Sequence, residues 1–101
     1  MRFTRLATYN MTTGTFPELV SLAEKGILPI FTREPGFVDY GLMDAGQHRV
    51  VSISIWETRA QADKAVGVAA TWVKANIADR ISLETNFVGD LALFHGAPVT
   101  A

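Results

Sequence analysis

Few side chains in this sequence can do chemistry. Histidine occurs only at His48 and His95, and cysteine is absent. The missing cysteines remove disulfides, thiol nucleophiles, thiolate metal sites and iron–sulfur clusters together. Neither histidine has a carboxylate at ligand spacing on a helix, so no metal site is expected. His48 falls on the same strand parity as Ser52 and Ser54, which suggests a base and a nucleophile. Four strand residues separate His48 from Ser52 by about 13 Å, at roughly 3.3 Å per residue, too far for a hydrogen bond. Arg33, Arg49, Arg59 and Arg80 lie near no glycine-rich phosphate loop and read as solvated. Glu57, Asp63 and Asp79 read as members of surface ion pairs of little weight.

The remaining candidates are aromatic or small and polar. Ser52 and Ser54 stand between Val50 and Trp56 on an apolar strand, where short hydroxyl side chains either border a cavity or bond neighbouring backbone. Ala62, Ala65 and Ala69 recur at helical spacing. They either leave volume beside a large flat indole or serve close packing of helix on sheet. Trp72 is core or pocket wall. Asn10 either bonds a turn at a strand end or orients a phenol or carbonyl oxygen. The candidate pocket is therefore Trp56, Ser52, Asn10, Trp72, Ala62 and Ala65, with no catalytic residue singled out.

The elements that must position these residues follow from local signals. Phe3 to Met11 alternates as a strand, closed by Thr12-Thr13-Gly14. Thr15 with Glu18 three residues on is a capping box that starts a first helix, near 16–33, with a kink expected at Pro29. Pro35-Gly36 ends it, and Phe37 to Met43 has strand character before a turn at Asp44-Ala45-Gly46-Gln47. His48 to Glu57 reads as the clearest strand, a hairpin partner of its predecessor. Thr58 with Gln61 is a second capping box, and apolar residues at helical spacing carry a second helix from Arg59 to Ala78. Ser82 to Phe94 closes the sheet, with a bulge expected at Gly89.

This order predicts an α+β fold: a ferredoxin-like βαββαβ sandwich, one four-stranded antiparallel sheet with both helices on one face. In the third strand Val51, Ile53 and Ile55 share one parity, and Val50, Ser52, Ser54 and Trp56 the other. Neither set is charged, so a second copy is expected to cover the helix-free face.

Composition sets the bounds. The chain has 101 residues, 49% of them hydrophobic and 19% charged, against roughly 25% charged in an average soluble protein. One folded domain over 1–101 is expected. Nine Lys plus Arg balance ten Asp plus Glu, with no run of either sign, which argues against a nucleic-acid partner. The longest apolar stretch, Val66 to Val73, is far short of the ~20 residues a membrane span needs, and no signal peptide is evident. A cytoplasmic, soluble protein is expected. Its mean hydropathy of +0.19 is high for so small a chain and again suggests a homodimer.

Pro35-Gly36-Phe37 opening the second strand, and Ile55-Trp56-Glu57-Thr58 leading from the third into an alanine-rich helix, resemble the dimeric αβ-barrel superfamily. The chain is similar to antibiotic biosynthesis monooxygenase-like proteins through most of its length. The resemblance implies paired sheets forming a shared barrel. It also implies a pocket between sheet and helices that holds an apolar or aromatic ligand, and cofactor-independent oxygenation of an aromatic or polyketide-like substrate. In the phenol oxygenases of that family a tryptophan ending the third strand lines the pocket, matched by Trp56. An asparagine four positions earlier is replaced by Ser52, and a tyrosine six positions later by Ala62. The haem-degrading branch carries a tryptophan and a histidine on the second helix. Trp72 is present and Asn10 could match that branch's asparagine, but no histidine is available, so neither haem nor any other cofactor is expected. The alternative on the same fold is a non-catalytic dimeric small-molecule-binding or stress-associated protein. A muconolactone-isomerase-like proton transfer would require a carboxylate or histidine in the pocket.

Overall fold

The computed structural model describes residues 2–95. Its elements are β1 (Arg2–Met11), α1 (Phe16–Lys25), α2 (Ile27–Arg33), β2 (Phe37–Gly46), β3 (Arg49–Trp56), α3 (Arg59–Asn76) and β4 (Ile81–Leu91). The four strands form one sheet in the order β2-β3-β1-β4, with every neighbouring pair antiparallel. This is the ferredoxin-like arrangement predicted from the element order.

Both capping boxes form. The Thr15 amide donates to Glu18 Oε1 at 2.8 Å, and the Thr58 amide to Gln61 Oε1 at 3.0 Å. The hydroxyls return the favour, Thr15 accepting from the Glu18 amide and Thr58 from the Gln61 amide. Each exchange satisfies orphan donors of a first turn and fixes where the helix begins.

The expected kink at Pro29 is instead a clean break at Gly26, whose φ of −109° and ψ of −80° end α1 and start α2. The break places Pro29 in the first turn of a new helix, where its missing N–H has no intrahelical partner to lose. The hairpin turn lies further along than expected, at Gln47-His48, with φ of 52° and 63°. Two central residues with positive φ are what a two-residue type I′ hairpin requires, so His48 belongs to the turn and β3 starts at Arg49. The bulge is also displaced. Gly89 pairs in register with Thr4, and the extra residue is Glu84, between the pairs Thr8–Thr85 and Tyr9–Leu83. The inserted residue switches parity, so that Ile81 and Leu83 face the helices before it, and Asn86 and Val88 after it.

Face assignment follows from burial. Arg5, Ala7 and Tyr9 of β1 and Val50, Ser52, Ser54 and Trp56 of β3 are buried beneath the helices. Val51, Ile53 and Ile55 take the opposite face. Two core clusters share the helical side. One gathers Ala23, Ile27 and Phe31 of α1 and α2, Trp56, and Ala62, Ala65 and Ala69 of α3. The other joins Ala7, Tyr9, Leu19, Val50, Ile77 and Ile81.

Candidate functional site

Where the two clusters meet, the packing leaves a void between the sheet and the helices. About 400 Å³ there is unfilled by atoms, mouth included, and about 30 Å³ admits the centre of a water-sized sphere. Leu42 and Val50 form its sheet floor, Ala23, Ile27 and Phe31 one helical wall, and Ala69, Trp72 and Val73 the other. Four polar side chains break this apolar lining: Arg5, Tyr9, Tyr40 and Ser52. A mostly apolar cavity with a few convergent polar groups is the usual form of a small-molecule site.

Arg5 is the least expected of them, because it is only 2% exposed. Its Nε donates to Asn86 Oδ1 at 2.8 Å and its Nη2 to the Tyr9 hydroxyl at 3.0 Å. Tyr40 reaches the void from β2. Burial raises its phenol above the ordinary value, opposed by the Ser52 hydroxyl beside it and by the positive charge of Arg5. Tyr40 is therefore a proton-bearing donor at neutral pH.

Of the residues singled out from sequence, Ser52 and Trp72 line the void, as does Ala69. Trp56 does not. Its indole is 1% exposed, with ring centroids 5.3 Å from Phe31 and 5.5 Å from Phe37, both edge-on. Its Nε1 donates to Ser54 Oγ at 2.9 Å, so the polar end is satisfied within the core. Phe31 lines the void on its other side, which leaves Trp56 one ring removed from it. Ala62 and Ala65 pack in the same cluster as Trp56, where small side chains permit close approach of α3. Trp56 and Ala65 instead border a separate cleft with Pro35 and Gln61. Asn10 is exposed and pairs with Arg49 and Ser82. It has the parity of β1 that faces away from the helices, so it cannot reach the void.

Sequence reasoning passed over Arg5, Tyr9 and Tyr40. The signal for the first was available: Arg5 shares the parity of Phe3, Ala7 and Tyr9, which marks a cation on the core-facing side of a strand. His48 and His95 are both exposed. Among the described residues, no cluster of three or more His, Asp or Glu could hold a metal ion.

Trp72 stands between the void and a groove on the surface. It lines the void on one side and, on the other, a surface groove between α2 and α3 bordered by Ile30, Val68 and Thr71. The indole lies against Gly26 at the α1–α2 break, so closely that a Cβ at position 26 would overlap its ring. Gly26→Ala should therefore push Trp72 outward. It is expected to cost about 1–3 kcal/mol in urea unfolding and to change the tryptophan emission of the folded protein. A variant with wild-type stability and emission would show that the contact does not hold Trp72 in place.

No protein-family model matches this chain, and no curated protein matches it in sequence. Solved structures share its fold. A single-residue variant of SnoaB, a cofactor-independent oxygenase from Streptomyces nogalater, superposes with a TM-score of 0.71 at 18% identity, over 92% of this chain and 95% of that one. A putative antibiotic biosynthesis monooxygenase from Chloroflexus aurantiacus gives 0.69 at 12% identity, over 95% and 98%. MupZ from Pseudomonas fluorescens gives 0.70 at 10%, over 86% of this chain and 69% of its own. Among the described residues no helix is long and apolar enough to cross a membrane.

Proposed function

On a chain that shares the ferredoxin-like fold of the antibiotic biosynthesis monooxygenase-like proteins, we propose an oxygenase. It binds an aromatic or polyketide-like small molecule between sheet and helices and oxygenates it without metal or flavin, as a cytoplasmic homodimer. The observation that carries this reading is the apolar void with its convergent Arg5, Tyr40 and Ser52. Such chemistry asks three things of a protein: ionisation of an electron-rich phenol or enol, polar contacts to the resulting oxyanion, and exclusion of water. The substrate carbon then reacts with dioxygen. For an anthrone, one oxygen atom becomes the new carbonyl and the other leaves as water with the two hydrogens of that carbon. The substrate supplies all the electrons. Arg5 favours the ionised substrate, Tyr40 and Ser52 donate to its oxygen, and the Trp72 wall keeps bulk water out.

A second reading rests on the same lining. Among the described residues no carboxylate or histidine borders the void, so no side chain there is an evident base. That favours a dimeric small-molecule-binding protein without catalysis. Oxygen uptake with a panel of anthrones and hydroquinones, metal and flavin excluded, separates the two. Uptake is expected, and Ser52→Val should lower its kcat by roughly tenfold, the worth of one hydrogen bond to the oxyanion. Saturable binding with no uptake by any panel member would favour the binding protein.

A further inference from the structure

Among the described residues, Arg5 is a buried cation without a counter-ion. Among the described residues the ion pairs are Arg49–Glu84, Arg59–Asp63, Lys64–Glu34 and Arg80–Glu18, all at the surface, and Arg5 joins none of them. Its two hydrogen-bond acceptors, Asn86 and Tyr9, are neutral. A guanidinium cannot shed its proton in a protein, so the charge stays in place. Holding it in an apolar enclosure is costly unless an anion lies nearby, and the same enclosure strengthens the attraction of any anion that arrives. The other polar groups of the void agree. Tyr9 receives a hydrogen bond from Arg5, which leaves its own O–H to donate, and Tyr40 and Ser52 also present hydroxyls. The void thus offers donors and one fixed positive charge, with no carboxylate among the described residues.

We infer that the pocket binds a ligand through an anionic oxygen, a carboxylate or an ionised enol or phenol, seated on Arg5, with Phe31, Leu42 and Trp72 parting around its ring system because the void as it stands has room for only a few waters. The inference deepens the proposed function in naming what the ligand must carry, and it rests on the same pocket. It does not require that the ligand be oxidised.

Three flat probes of one shape test it by calorimetry on the full chain: naphthoate, naphthamide and naphthol. Naphthoate is expected to bind at least tenfold more tightly than naphthamide, its neutral isostere. A naphthol affinity that rises as pH approaches the naphthol pKa, while that of naphthoate stays flat, identifies an ionised hydroxyl as an accepted source of the charge; a flat naphthol profile restricts the site to carboxylates. Arg5→Gln should erase the preference of naphthoate over naphthamide, and Arg5→Lys should keep part of it. If Arg5→Gln does not fold, the wild-type ratio and the Arg5→Lys ratio decide. Equal binding of naphthoate and naphthamide by the wild type, a preference that survives in folded Arg5→Gln, or no binding of any probe at millimolar concentration would each overturn the inference. None of the probes reports oxygenation. An anion preference without oxygen uptake would therefore retain this inference and sink the catalytic reading, and uptake without the preference would do the reverse.

Discussion

Trp56→Ala is expected to cost about 3–5 kcal/mol of folding stability, the range for removing a buried large aromatic. That is a large share of the roughly 5–15 kcal/mol that holds a domain of ordinary size together. The indole is enclosed by Phe31, Phe37 and the alanines of α3. Its removal also strips Ser54 Oγ of the N–H it accepts. Urea unfolding followed by circular dichroism measures the loss, and Ser54→Ala should give a smaller one of about 1–3 kcal/mol, from the indole N–H left unpaired. A Trp56→Ala protein as stable as the wild type would contradict the packing described. The consequence for any assay is direct: activity lost in this variant reports on folding, whereas Ser52 and Arg5 report on the pocket.

Ile53→Lys is expected to turn a dimer into a monomer. The register aligns Gly41, Ile53, Leu6 and Phe87 in one row across all four strands on the helix-free face, with Met43 and Val51 in the next row. Phe87 is 62% exposed, Met43 55% and Ile53 37%. Burying side chains of this size is worth about 1.5–3 kcal/mol each before the costs of association. A twofold-related copy can cover such a face with its own. A lysine at the centre of the row would have to bury an unpaired ammonium, which should weaken dimerisation by at least about a hundredfold. Light scattering at low micromolar concentration should show the wild type at twice the 11.0 kDa chain mass and the variant at 11.0 kDa. A wild-type monomer, folded at that dilution, would remove the homodimer from the proposed function.

Element order was legible because its signals are local. A capping box works through residues three apart, and strand parity through residues two apart, so Thr15, Glu18, Thr58, Gln61 and the alternation of 50–56 could be read directly. The ferredoxin-like topology then followed from short connections and crossover handedness. Local signals failed where two conformations satisfy the same residues. Gly26 and Pro29 both disturb a helix, and the break falls at 26, where Trp72 lies against the glycine and Pro29 is left in the first turn of the next helix. Gly89 looked like the bulge, yet the bulge sits at Glu84, where it turns Ile81 into the core on the helical side while Phe87 and Thr85 take the other.

The site itself depended on contacts between residues far apart in the chain. Parity divided β3 into two sets without saying which lay beneath the helices; the helices, packing from both sides of the strand in sequence, made that choice. Trp56 and Ser52 share a parity and lie four residues apart, and whether either meets a cavity depends on where Phe31 of α2 fills the space between them. Arg5 is bonded to Asn86, 81 residues away. A strand sequence can show that a cation faces the core. Whether a carboxylate waits there to meet it is decided by how β2, β4 and α3 close around it, because a void and an unpaired charge are properties of surfaces that meet only in the folded chain.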